Sequence, residues 1–412
     1  MYTVRKVTDD LYYVGGDDRR LALFENIFPI DGVSYNSYLL MDEKTVLIDS
    51  VDWSITREYI LNVSRVLGDR DLDYMIIQHM EPDHCSAIEL MLHYYPNVKI
   101  IASEKAILFM RQFGYHVDDR YIEVKEGDSI SFGKHEYTFV EAPMVHWPEV
   151  LMTYDLTDKV LFSADAFGSF KSNDGRLFAD EVDWDRDWLD EGRRYYTNIV
   201  GKYGTFVQSV LKKASGLDIK YICPLHGLVW RKDFGYILDK YNKWSSYQPE
   251  EEGVLIAYAS MYGNTEYAAQ ALASKLAEKG MTNISLRDVS STDVSYLISD
   301  AFKYSNIVLA SVTYNLGIYP KMKDFIHDMA ALNVQNRAIS IMDNGSWAPT
   351  AGEKMEKFLD EEMKLIDVLP EQVNIVSSLK SAKEPDMDAL VEGIFESMKK
   401  RREEVQKAKD QK

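Results

Sequence analysis

One seven-residue loop limits the folds open to this chain. Gln78-His79-Met80-Glu81-Pro82-Asp83-His84 follows the apolar segment Tyr74–Ile77 and precedes a helical pattern. It puts two imidazoles and two carboxylates at the C-terminal end of a strand, where open α/β sheets build their sites. Alternate residues of an extended loop point the same way, so His79, Glu81 and Asp83 can converge. Packed together without a cation, these groups would force like charges close and shift one another's pKa values. The expectation is a metal site. Three further donors stand in similar positions: His146 beyond the segment ending at Glu141, Asp165 beyond Val160-Leu161-Phe162-Ser163, and His226 in Ile222-Cys223-Pro224-Leu225-His226-Gly227. A lone histidine after a strand is usually a hydrogen-bonded core or surface residue; the density of donors sets these apart. His93, His116, His135 and His327 lie in helical or polar surroundings and read as incidental.

Two histidines with one or two carboxylates per ion make a hard, oxygen-rich environment, closer to non-haem iron than to thiolate zinc. A histidine in place of Glu81 would give the imidazole-rich set of a zinc hydrolase. The carboxylate favours a redox-active iron pair, although carboxylates also bind zinc.

The first 245 or so residues carry short β-like segments at Leu11–Val14, Ser37–Leu40, Thr45–Ile48, Tyr74–Ile77, Lys99–Ala102, Glu136–Glu141, Leu151–Asp155 and Lys159–Ser163. Helical patterns at Ile55–Leu67 and Ser86–Tyr95 intervene, which makes a layered α/β domain. The pattern lapses at Trp244–Gly253, a polar stretch with proline and glycine, and a fresh βαβ pattern follows. At 412 residues the chain is too long for one ordinary core. Two domains are expected, at 1–248 and 253–412.

In the second domain, strands are expected at Val254–Ala259, Ile284–Asp288, Ile307–Ser311, Arg337–Asp343 and Gln372–Ser377. Helices alternate with them at Thr265–Lys279, Val294–Phe302, Lys321–Leu332 and Glu353–Ile366. This is a flavodoxin-like doubly wound parallel sheet. Its first strand–helix turn is Ser260-Met261-Tyr262-Gly263-Asn264-Thr265. The hydroxyls, the amide and the helix N-terminus can surround a phosphate monoester, although such turns also serve as plain N-caps. Thr313, Tyr314 and Asn315 end the third strand; Gly345, Ser346 and Trp347 follow the fourth. Together these loops flank the switch point where such a sheet binds FMN, with Tyr314 or Trp347 able to stack on the ring. Pro349 stands where glycine-rich sequence is more usual. The charge-rich tail Lys399–Lys412 is expected to be a solvated helix end.

The formal charge of −19 argues against nucleic acid and anionic membranes as partners. Two cysteines, Cys85 and Cys223, cannot form a four-thiolate iron site within one chain, and they fit a reducing compartment. Met1–Asp10 is not a signal peptide, and no stretch reaches the roughly 20 apolar residues of a membrane helix. A cytoplasmic protein is expected.

The order His79-x-Glu81-x-Asp83-His84, His146, Asp165, His226, followed by the flavin loops, resembles the flavo-diiron proteins (A-type flavoproteins) over essentially the whole chain. That resemblance implies a metallo-β-lactamase-like αββα sandwich before the flavodoxin-like domain. It implies one iron on His79, Glu81 and His146, another on Asp83, His84 and His226, and Asp165 bridging them. Some members leave the histidine matching His84 off the metal, and Cys85 stands where a small residue is common. Tyr195 matches a tyrosine near the open coordination face; a packed helix aromatic is an equal reading. The implied function is an oxidoreductase reducing dioxygen to water, nitric oxide to nitrous oxide, or both. Its electrons would come from an external donor, rubredoxin or a reduced deazaflavin, through FMN. A head-to-tail homodimer, or a tetramer, would bring one subunit's FMN to the other's irons. The alternatives are a metallo-β-lactamase-superfamily hydrolase with a fused flavodoxin-like regulatory domain, and a non-enzymatic electron carrier or redox sensor.

Overall fold

Tyr74–Ile77 forms a strand because both of its faces are covered: Met75, Ile76 and Ile77 are fully buried. In the computed structural model, which describes residues 3–117 and 119–410, it runs parallel between Thr45–Ile48 and Lys99–Ala102. Arg5–Lys6, Leu11–Tyr13 and Tyr38–Met41 extend this sheet on one side and Tyr121–Glu123 on the other, seven strands in all. A second, five-stranded sheet is ordered Ser129–Ser131, Glu136–Glu141, Leu151–Asp155, Val160–Phe162, Tyr221–Cys223. The core of this unit lies between the sheets, with Tyr38, Ile48 and Ile76 opposite Tyr137, Phe139 and Phe162. Helices such as Thr56–Leu67, Glu104–Gln112 and Gly204–Ala214 complete the αββα layers.

The chain divides into two compact units, Met1–Asn242 and Lys243–Lys412. In the second, the parallel strands are ordered Ile284–Asp288, Glu251–Ala259, Tyr304–Tyr314, Arg337–Asn344, Ile366–Val368. Two apolar clusters pack on this sheet: Leu255, Ile307 and Phe325 belong to one, Ile256, Leu272 and Leu390 to the other. The end of this unit departs from expectation. The helix runs Ala351–Glu362, and the last strand position is shared by Ile366–Val368 and Val373–Ile375, both parallel to Arg337–Asn344. Pro370 lies between the two pieces and has no N–H to give a ladder. The final helix spans Glu384–Asp410. Its core-facing residues end at Met398, and beyond it Lys399, Lys400 and Arg402–Lys407 are exposed. Gln411 and Lys412, like Met1 and Tyr2, fall outside the described residues. Among the described residues no helix is long and apolar enough to cross a membrane.

His135 is not incidental. Its side chain is buried; Nδ1 donates to Asp155 at 2.8 Å, and Nε2 faces Asp10 at 3.3 Å. Its backbone N–H donates to Asp42 at 2.7 Å. The imidazole thus ties strand ends of the two sheets together.

Candidate active site

All seven predicted metal ligands converge where the loops leave the two sheets. Asp49, in the loop after Thr45–Ile48, accepts the Gln78 N–H at 2.8 Å and its side-chain amide at 2.9 Å. This fixes the start of the His79 loop. Pro82–Cys85 closes as one helical turn with proline at its first position, carrying Asp83 and His84 inward. His146, Asp165 and His226 arrive on loops of the second sheet.

The donors fall into two groups that meet at Asp165. In the first, His79 Nε2 and His146 Nε2 lie 3.3 and 3.0 Å from Glu81 Oε2, and 3.2 and 3.1 Å from Asp165 Oδ2. In the second, His84 Nε2 and His226 Nε2 lie 3.4 and 3.2 Å from Asp83 Oδ2, and 3.2 and 3.6 Å from Asp165 Oδ1. His84 therefore points into the second group. Its Nε2 and that of His226 face each other at 3.0 Å, an arrangement neutral imidazoles adopt around a shared electrophile.

These groups fit two metal ions. Bonds of roughly 2.0–2.2 Å put neighbouring ligand atoms roughly 3.0–3.6 Å apart around one ion, as here. Both Asp83 oxygens and Asp165 Oδ1 are buried without a hydrogen-bond partner, and acceptors rarely stay so unless a cation takes them. The imidazoles register the same demand for positive charge. Burial opposes ionisation of His79, yet Asp165, Glu149 and Glu81 raise it well above its ordinary value. Against the same burial, Asp165 and Glu81 lift His146 to about 9. Despite burial, His84 and His79 hold Asp165 well below the usual carboxylate range.

Tyr195 lies on the helix Leu189–Tyr195, 1% exposed, with its ring 5.5 Å from that of His226. Burial and the Asp165 charge keep its phenol protonated.

At the other site, the first strand–helix turn forms one wall of a cleft. Ser260, Met261, Tyr262, Asn264 and Thr265 face Val312, Thr313, Asn344, Gly345, Ser346, Trp347 and Ser377 across it. Gly263, at φ 86°, caps the helix Asn264–Glu278, and its N–H donates to Ser260 Oγ at 3.1 Å. Tyr262 and Trp347 are 90% and 80% exposed, so both rings are free to cover a planar ligand. A side chain at position 345 would sit 2.7 Å from Pro349, which explains why glycine precedes that proline. Tyr314 and Asn315 follow Thr313, which lines the cleft. The strand continues through Tyr314 and turns back to Gly317–Ile318, with Asn315 in the turn at φ 48°.

Comparison with known proteins matches residues 33–227 to the ODP family of β-lactamase-like domains and residues 255–374 to a flavodoxin domain. The anaerobic nitric oxide reductase flavorubredoxin of Klebsiella pneumoniae is 32% identical over 93% of this chain and 78% of its own length. This chain belongs to the flavo-diiron protein family. Solved flavo-diiron folds agree. The flavodiiron protein of Giardia intestinalis superposes with a TM-score of 0.89 at 25% identity, covering 96% of this chain and 98% of that one. The rubredoxin:oxygen oxidoreductase of Desulfovibrio gigas gives 0.89 at 26% identity over the same shares. The protein is accordingly an oxidoreductase, with FMN and a diiron centre as its cofactors.

Several residues around the flavo-diiron site carried no sequence signal. Glu149 accepts His79 Nδ1–H at 2.8 Å, and the Ser34 carbonyl accepts His226 Nδ1–H at 2.7 Å. Glu25 stands at φ 50° between the paired strands Leu23–Phe24 and Phe28–Pro29. Burial and the neighbouring Glu81 charge push its carboxyl up to about 8. Phe24 packs edge-on to His226 at 5.5 Å. The segment His146-Trp147-Pro148-Glu149 supplies a donor, a wall and a hydrogen-bond acceptor within four residues.

Proposed function

We propose that this protein reduces dioxygen to water, nitric oxide to nitrous oxide, or both, using electrons from an external donor. The balanced reactions are O2 + 4 e− + 4 H+ → 2 H2O and 2 NO + 2 e− + 2 H+ → N2O + H2O. The observation that carries the reading is the pair of donor groups joined at Asp165. When bound, two irons and FMN supply the redox chemistry. His79, Glu81 and His146 would hold one iron, Asp83, His84 and His226 the other, and Asp165 would bridge them. Tyr195 and Phe24, both buried, would shield the His226 side of the centre. The cleft bounded by Ser260, Thr265, Thr313, Ser346 and Trp347 would seat FMN. We assign the diiron domain to 1–248 and the FMN domain to 253–412.

The relative named a nitric oxide reductase and the neighbour named a rubredoxin:oxygen oxidoreductase support both gases and a rubredoxin-type donor; a reduced deazaflavin is the other donor we put forward. Glu81 within the first group speaks against the hydrolase reading. A head-to-tail homodimer and a cytoplasmic setting complete the proposal. The test is anaerobic reconstitution with iron and FMN, then stopped-flow oxidation of the reduced protein by each gas. Rapid reoxidation by at least one gas, dependent on both cofactors, is expected. Full iron and flavin occupancy with no gas consumption would leave an electron carrier instead.

A further inference from the structure

The two halves of the metal centre are not held alike. Glu149 is fully buried, and its Oε1 accepts both His79 Nδ1–H at 2.8 Å and Met80 N–H at 2.9 Å. A carboxylate only accepts, so the proton sits on Nδ1 and the Nε2 lone pair faces the first donor group. The arrangement is braced from two sides. Ser103, which caps the helix Glu104–Gln112, donates its hydroxyl to the Glu149 carbonyl at 3.0 Å. The Trp147 ring stands edge-on to His79, 5.3 Å away at 87°.

Among the described residues, no carboxylate stands behind the imidazoles of His84, His146 or His226 in this way. His226 Nδ1 donates to the neutral Ser34 carbonyl, and His84 Nδ1 is buried without a partner. The carboxylates that His146 meets, Glu81 and Asp165, lie against its Nε2. A carboxylate behind an imidazole N–H gives the ring imidazolate character. That makes Nε2 a stronger donor and favours the higher oxidation state of the ion it holds.

We propose that Glu149 makes the two metal positions unequal: the His79–Glu81–His146 position binds iron more tightly and is the harder of the two to reduce, while the Asp83–His84–His226 position is the first to lose its metal. This rests on the diiron reading above. Glu149 acts through His79 and is a positioning residue.

The test uses the full chain with FMN and iron bound, comparing wild type with Glu149→Gln. Glutamine keeps a carbonyl acceptor of the same length and removes the charge. Glu149→Ala serves as the harsher variant, and flavin content and circular dichroism confirm the fold of each. Under a chelator, wild type should release iron in two separate phases of equal amplitude. In Glu149→Gln the slow phase should quicken by roughly 10- to 100-fold and merge with the fast one. In anaerobic redox titrations followed by electron paramagnetic resonance, the mixed-valent state should narrow, because the second reduction moves up in potential. A wild type that holds two irons but releases them in one phase overturns the inference. So does a folded Glu149→Gln with unchanged phases and unchanged titration. A wild type that takes up no iron fails at the earlier step and removes the diiron reading itself.

Discussion

Thr265→Val is the sharpest test of the flavin cleft. The substitution keeps the shape of the side chain and deletes one hydroxyl. Thr265 is 2% exposed in the first turn of the helix Asn264–Glu278, and its Oγ1 accepts the Asn344 amide at 3.2 Å. Its own hydroxyl proton is then free to donate into the cleft. If that donation meets the FMN phosphate, it is a hydrogen bond to a charged group, worth about 1.5–3 kcal/mol. The FMN Kd should rise roughly 10- to 150-fold. The flavin-free chain should lose much less, about 1 kcal/mol or under, because the Asn344 amide keeps the Ser377 carbonyl at 3.3 Å. The assay is fluorescence quenching on titrating FMN, and in parallel riboflavin, into flavin-free protein. FMN binding should weaken strongly and riboflavin binding hardly at all. An FMN Kd within threefold of wild type refutes the phosphate contact. Equal weakening for both flavins refutes it as well, since riboflavin carries no phosphate.

Two further outcomes are expected. Asp165→Asn keeps the shape of the shared ligand but removes its charge from both donor groups. Iron, counted against FMN in the same sample, should fall from two per chain to one or none, while FMN stays bound. His135 provides a pH test away from the metals. Burial opposes its ionisation, but Asp155 and Asp10 raise its pKa above the ordinary value. A raised folded value means the pair's contribution is complete below the unfolded pKa of about 6.5 and is lost as pH rises through the folded one. The Tm gap between wild type and His135→Gln, followed by calorimetry, should therefore be larger at pH 6 than at pH 9; a constant gap would show that the charge contributes nothing.

The ligands were legible because the fold concentrates them. Four stand in the six-residue span 79–84 just beyond one strand, and His146, Asp165 and His226 each follow a recognisable strand, so position and chemistry coincide. What supports them was not legible. Glu149 reaches His79 across 70 residues and Ser34 reaches His226 across 192, through strand pairings that no local pattern encodes. His135 read as incidental because its partners, Asp10 before the strand Leu11–Tyr13 and Asp155 at the end of Leu151–Asp155, are remote in sequence. Val312 and Ser377 also line the flavin cleft, and neither an apolar residue nor a lone serine announces a cofactor loop. Local chemistry announces a site; sheet register decides which neighbours complete it.

The anchoring of the site's charges bears on what sets its redox behaviour. Glu81, Asp83, Asp165 and Glu149 bring four negative charges to one buried spot, and two divalent ions would bring four positive ones. Behind that spot Ile76, Phe162 and Cys223 belong to the apolar core between the sheets. Uncompensated charge there would be strongly unfavourable. The bound cations would supply most of that compensation, since both Asp83 oxygens and Asp165 Oδ1 have no hydrogen-bond partner, while backbone groups anchor the residues behind the ligands. Gln78 N–H holds Asp49, Met80 N–H holds Glu149, and the Ser34 carbonyl holds His226. Backbone groups are present whatever the side chain, so this frame can persist while the residues aimed at it change. The ligands then determine which ions enter. The groups behind them, one anionic at His79 and one neutral at His226, determine how readily each ion gives up an electron.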